Sequence, residues 1–112
     1  MDCIFCKIAA GEIPSNKAYE DDRVLAFYDL DPQAPVHILI IPKEHIGSAA
    51  EITAENSRIV AHIFEVAAKL AVELKLDQGW RVVTNVGKDG GQSVLHMHFH
   101  LLGGRSMAWP PG

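Results

Sequence analysis

The sequence predicts an α+β fold, an antiparallel sheet with helices packed against it, and three observations carry that expectation. β-forming residues bracket a cluster of turn residues early in the chain. The hydrophobic period lengthens to three or four residues in the middle, and it returns to two in the last third.

The early pair reads as a hairpin, with Lys17 to Tyr19 and Arg23 to Tyr28 flanking the turn Glu20-Asp21-Asp22. His37 to Ile41 (HILII) is a third strand, stopped by Pro42. From Thr53 onward Ile59, Ile63, Val66, Leu70 and Leu74 recur at helical spacing, so one long amphipathic helix is expected, with Thr53 as its N-cap and its end near Leu76. Trp80 to Asn85 is the next strand, Gly87 to Gln92 (GKDGGQ) a glycine-rich loop, and Val94 to Leu102 the last strand.

With 112 residues, 48% of them hydrophobic, the expectation is a single domain spanning residues 1–112 around one core. The net charge of -4 offers no excess of cations for a nucleic-acid backbone, so any nucleotide binds as a small molecule. No apolar run is long enough to span a bilayer, and MDCIFCKIAAGEIP lacks the pattern of a secretory signal, which predicts a cytoplasmic protein without membrane contact. Cys3 and Cys6 form a Cys-x-x-Cys pair, in a reducing compartment a metal or redox site more readily than a disulfide.

The segment HMHFHLL places His96, His98 and His100 at alternate positions, with Met97, Phe99 and Leu101 between them. On a strand the three imidazoles share one face and the apolar residues take the other. A buried face gains nothing from three ionisable rings that must each find partners, so the pattern points to chemistry. Such rings can ligate a metal, or they can surround a phosphate with one ring attacking it. The loop Gly87–Ser93 leads into them with backbone N–H groups suited to an anion, which favours phosphate. His62, on the long helix, reads as solvated or partly packed.

HMHFHLL is similar to the signature of the histidine triad (HIT) family, His-φ-His-φ-His-φ-φ with φ apolar. The stretches CIFCKIAAGEIPS, VLAFYDLDPQAPVHILIIPKEHI, NVGKDGGQSVLHMHFHLLGGR and WPPG resemble the Hint branch of that family in order along nearly the whole chain. The resemblance implies the HIT fold with one long and one short helix, a two-fold homodimer, and hydrolysis of purine nucleoside phosphoramidates such as adenosine 5'-phosphoramidate, releasing AMP. Related activities on dinucleoside polyphosphates, or nucleotide binding without turnover, are the alternatives it leaves.

Carried onto matching positions, the resemblance makes His98 the nucleophile of a nucleotidyl-histidine intermediate. His100, His96, His37 and Ser93 complete the catalytic group. The implied nucleotide contacts are Ile4, Phe5, Ile8, Phe27 and Leu30 for the purine, Asp29 for the ribose, and Asn85, Gly91, Gln92, Ser93 and Val94 with His98 and His100 around the phosphate. Trp109 would reach the partner subunit's site. Neutral imidazole is a competent nucleophile near pH 7, and the covalent route needs no cofactor for its chemistry. A nearby imidazolium would protonate the departing amine.

Cys3, Cys6, His45 and His96 together supply the two sulfurs and two nitrogens of a closed tetrahedral zinc site, and some HIT relatives place zinc on ligands in this order. The other reading of the cysteines is two packed thiols. Structural zinc is the expectation, with His96 then a ligand. For the dimer, HILII and the alanines Ala67, Ala68 and Ala71 of the long helix offer surfaces that could associate.

Overall fold

The computed structural model describes residues 3–112. In chain order these form helix α1 (Ile4–Ala9), strands β1 (Lys17–Glu20), β2 (Val24–Tyr28) and β3 (Val36–Pro42), a 3-10 turn at Ala49–Glu51, helix α2 (Arg58–Glu73), and strands β4 (Trp80–Thr84) and β5 (Phe99–Gly103). The strands build one five-stranded sheet in the order β1-β2-β3-β5-β4, and every pairing is antiparallel. No helix among the described residues is long and apolar enough to cross a membrane.

The expected α+β architecture is what is found, and period-two alternation explains the sheet's two buried faces. Val24, Ala26, Ile38, Ile40, Phe99 and Leu101 face α2, whose stripe Ile63, Val66, Ala67, Leu70 and Ala71 follows helical spacing and completes the larger core. Leu25, Phe27, Leu39 and Ile41 point the other way, onto Phe5 and Ile8 of α1. The hairpin turn is fixed by the Asp21 carboxylate, which accepts from the backbone N–H groups of Arg23 and Val24 at 2.8 and 2.9 Å.

Strand β3 includes Pro42, which was expected to stop it, and α2 ends at Glu73 rather than near Leu76. The largest differences from the sequence reading are the starts of α2 and β5. Helix α2 begins at Arg58 rather than just after Thr53, because residues 54–57 form a separate turn that Thr53 and Asn56 stabilise; Thr53 Oγ1 accepts from Glu55 N–H at 3.3 Å, and Asn56 Oδ1 from Thr53 N–H at 2.6 Å. Strand β5 begins at Phe99 rather than Val94. The preceding backbone groups are engaged elsewhere: Met97 N–H donates to the Ile46 carbonyl at 2.6 Å, and the His98 carbonyl accepts from Thr84 Oγ1 at 2.8 Å.

The surfaces suggested for association are also mostly used inside the subunit. Ile38 to Ile41 are core residues, and so are Ala67 and Ala71; of the three alanines only Ala68 is exposed.

Candidate active site and metal centre

Although His96 and His98 precede β5, the alternation survives. Met97, Phe99 and Leu101 enter the larger core, while the three imidazoles lie on the α1 side of the sheet. His96 is completely buried, and His98 nearly so. His37 joins them because β3 and β5 pair with His37 opposite Leu102 and Leu39 opposite His100, which sets His37 and His100 diagonally across the ladder on one face. Their rings lie 5.1 Å apart, as do those of His98 and His100.

Main-chain groups fix where the ring protons sit. His98 Nδ1 lies 2.7 Å from the His96 carbonyl, which can only accept, so Nδ1 carries a proton and in the neutral ring Nε2 keeps its lone pair. His37 is the reverse: the backbone N–H of Gln33 donates to its Nδ1 at 3.0 Å, which puts the ring proton on Nε2. That Nε2–H donates to His100 Nδ1 at 2.8 Å, and the proton of neutral His100 is thereby on its own Nε2. The row holds one nucleophilic nitrogen, on His98, and one N–H donor, on His100.

Electrostatics favour the neutral ring at His37, His96 and His100. Burial, reinforced by His98 and His37, pushes His100 down to about 4 despite the opposing pull of Asp29. Burial likewise lowers His37 and His96. An imidazolium at His100 is therefore not the resting state of the pocket.

The rings of His98 and His100 open into a cavity of about 280 Å³, near the lower bound for small-molecule sites. Ile4, Phe5, Ile8, Phe27, Leu30 and Leu39 give it apolar walls, and Asp29 and Ser93 add polar groups. Phe5 stands edge-on to His98 with ring centres 5.0 Å apart. Tyr28 also lines it, as do Pro14, Ser15 and Asn16, which like Leu39 sequence reasoning did not single out. Ser15 Oγ is buried without a hydrogen-bond partner among the described residues.

Five expected nucleotide contacts are not among the lining residues. Gln92 uses its side-chain amide inside the glycine-rich loop, accepting from Gly87 N–H at 3.0 Å and donating to the Gly47 and Val94 carbonyls at 2.7 and 2.9 Å. Gly91 closes that loop with φ +78. Val94 packs on the smaller core, Asn85 is half-buried at the end of β4, and Trp109 is 80% exposed beneath the Arg81 guanidinium. His62 is a structural partner, with Nε2 2.6 Å from the Asp21 carboxylate.

The second cluster lies behind the first. Ligand atoms of Cys3, Cys6, His45 and His96 all fall within 4.8 Å of one another. His96 Nδ1 is 3.3 Å from Cys3 Sγ and 3.5 Å from Cys6 Sγ, and His45 Nδ1 is 3.2 Å from Cys6 Sγ. Ligands around a tetrahedral zinc stand about 3.5 Å apart given the usual bond lengths, so the spacing fits. The chemistry fits too: His96 Nε2–H donates to the Pro42 carbonyl at 2.8 Å, the outer partner a metal-binding imidazole ordinarily has, and this leaves the Nδ1 lone pair toward the sulfurs. Burial and the neighbouring Cys3 raise the Cys6 thiol, an effect a bound cation would reverse.

Asp29, His37 and His100 also lie close enough to hold an ion. The Gln33 N–H, however, leaves His37 Nε2 protonated and a donor rather than a ligand. Nor do the three triad rings converge on one ion, since both nitrogens of His96 are committed away from the cavity.

Fold and site together define an α+β protein that presents His98 and His100 to a cavity beside a cluster of two thiols and two imidazoles at metal-ligand spacing. The HIT domain model matches residues 10–107, and the chain belongs to that family. A 14 kDa zinc-binding protein of Brassica juncea is 50% identical, covering 99% of this chain and all of that one. A crystal structure of a HIT family hydrolase from Legionella pneumophila superposes with a TM-score of 0.97 at 52% identity, over 99% of this chain and 100% of the other. A histidine triad nucleotide-binding protein from Candida albicans gives 0.82 at 38% identity, over 97% and 83%. The chain thus has the fold of HIT family hydrolases.

Proposed function

We propose that this protein is a Hint-branch purine nucleoside phosphoramidase that releases AMP through a nucleotidyl-His98 intermediate, acts as a cytoplasmic homodimer, and holds a structural zinc on Cys3, Cys6, His45 and His96. The observation that carries the reading is the hydrogen bond from His98 Nδ1 to the His96 carbonyl, because it leaves Nε2 unprotonated beside the cavity.

The apolar slot between α1 and β2 receives the purine, and the Asp29 carboxylate accepts from a ribose hydroxyl. His98 Nε2 attacks the α-phosphorus, and the bond from phosphorus to the amine breaks. The positive charge that develops on the His98 ring is stabilised by the His96 carbonyl at Nδ1–H. His100 Nε2–H, held in that tautomer by His37, donates a hydrogen bond to the departing nitrogen, which takes its proton from solvent as its bond to phosphorus breaks. A water then attacks phosphorus and loses its proton to solvent, the phosphorus–Nε2 bond breaks, and AMP leaves.

Ser93, at the cavity, donates to a non-bridging oxygen. His37 is a positioning residue that holds His100 in the required tautomer. Asn85, Gly91, Gln92 and Val94 shape the phosphate-side loop, and the partner's copy of the Trp109 segment completes the pocket. A closed four-ligand zinc site keeps no position for substrate, so when bound the metal supplies cohesion rather than reaction chemistry.

Incubation with adenosine 5'-phosphoramidate is the direct test: the wild type should release AMP, and His98→Ala should lower the rate by a factor on the order of a thousand or more, the scale seen when a covalent nucleophile is lost. AMP release by His98→Ala at the wild-type rate would remove the assignment.

A further inference from the structure

We propose that metal loading and nucleotide binding form one linked equilibrium, coupled through His96 and helix α1. The inference rests on the nucleotide reading above and concerns how that site is regulated. His96 serves both centres at once: its Nδ1 lies within 3.5 Å of both cysteine sulfurs, while its carbonyl accepts the proton that orients the His98 ring at 2.7 Å.

Helix α1 has the same double role. Cys3 caps it, accepting from Cys6 N–H at 3.2 Å, and both residues belong to the metal cluster. Between and beyond them Ile4, Phe5 and Ile8 form one wall of the cavity. The Phe5 ring bridges the two centres, edge-on to His96 at 6.0 Å and to His98 at 5.0 Å.

A helix of six residues does not persist by itself, because too few hydrogen bonds repay its nucleation. Phe5 and Ile8 anchor it in the smaller core, and the metal cluster ties its N-terminal end to His45 and His96. Removing the metal loosens the cavity wall and the residue that orients the nucleophile together, so the nucleotide must then order both. Linkage makes the effect reciprocal: whatever factor the metal adds to nucleotide affinity, the nucleotide adds to metal affinity.

The test uses the full chain and AMP as probe. Zinc affinity is measured by chelator competition with and without saturating AMP, and AMP affinity by calorimetry on the zinc-loaded and metal-free protein. The expected result is the same ratio in both measurements, about 5- to 100-fold. Ratios of one overturn the coupling while AMP binding to the zinc-loaded protein leaves the nucleotide reading intact; no AMP binding by the zinc-loaded protein overturns that reading instead. Phe5→Leu, which keeps every ligand, should bring the ratio toward one. A ratio that stays at the wild-type value would assign the effect to global unfolding of the metal-free chain and overturn the proposed route.

Discussion

At the residue scale the site is a set of proton positions. His98 carries its proton on Nδ1, whereas His37, His96 and His100 carry theirs on Nε2. Nitrogen NMR of the imidazoles at pH 7 should show this one-against-three pattern, and an Nε2–H tautomer at His98 would contradict the assignment. Acid should also act unevenly. Because burial holds His37, His96 and His100 below the ordinary imidazole value, the unfolded chain binds more protons than the folded one as pH falls below about 6.5. Stability conferred by their neutral state is complete above that pH and is lost toward about 4, where His100 titrates. A thermal melting series from pH 7 to pH 4.5 should therefore show a falling Tm, and a flat series would rule the burial argument out. The shared face of the triad was legible because alternation depends only on local backbone direction. The partners that set each tautomer were not, since Gln33, Pro42 and the His96 carbonyl reach their rings through main-chain atoms that no side-chain pattern records.

At the element scale the hairpin and the stripe of α2 were legible for a similar reason: turn residues and helical spacing are local signals. Leu70→Ala, at the centre of that stripe and 2% exposed, should cost about 2–5 kcal/mol by leaving a cavity, readable as a lower denaturation midpoint with an unchanged slope. A short helix was expected only through family likeness and without a position, because IFCKIA is too short to display a period. The late start of β5 was hidden as well, since it depends on Ile46 and Thr84 drawing backbone groups away from the ladder. The cavity residues Pro14, Ser15 and Asn16 belong to the segment between α1 and β1, and only the crossing of the chain brings them beside Phe27 and Leu39.

At the scale of the whole molecule, β4 is an edge of the sheet, and Trp80 upon it is 40% exposed. An unpaired edge of this kind is usually covered, which supports the proposed homodimer. Sedimentation equilibrium should then give a mass about twice the 12.3 kDa of one chain, and a monomer at micromolar concentration would exclude it. Elemental analysis should find about one zinc per chain, lost in Cys3→Ser, with a lower Tm in that variant.

The irregular stretch before β5 limits what can be transplanted. Were residues 94–98 built as an ordinary ladder, the carbonyl of His96 would compete for a neighbouring strand's amide instead of holding the ring two residues on. Copying HMHFH onto an arbitrary β-strand of another protein would thus reproduce the letters of the triad without its chemistry; an engineer would have to move the frayed backbone along with the side chains.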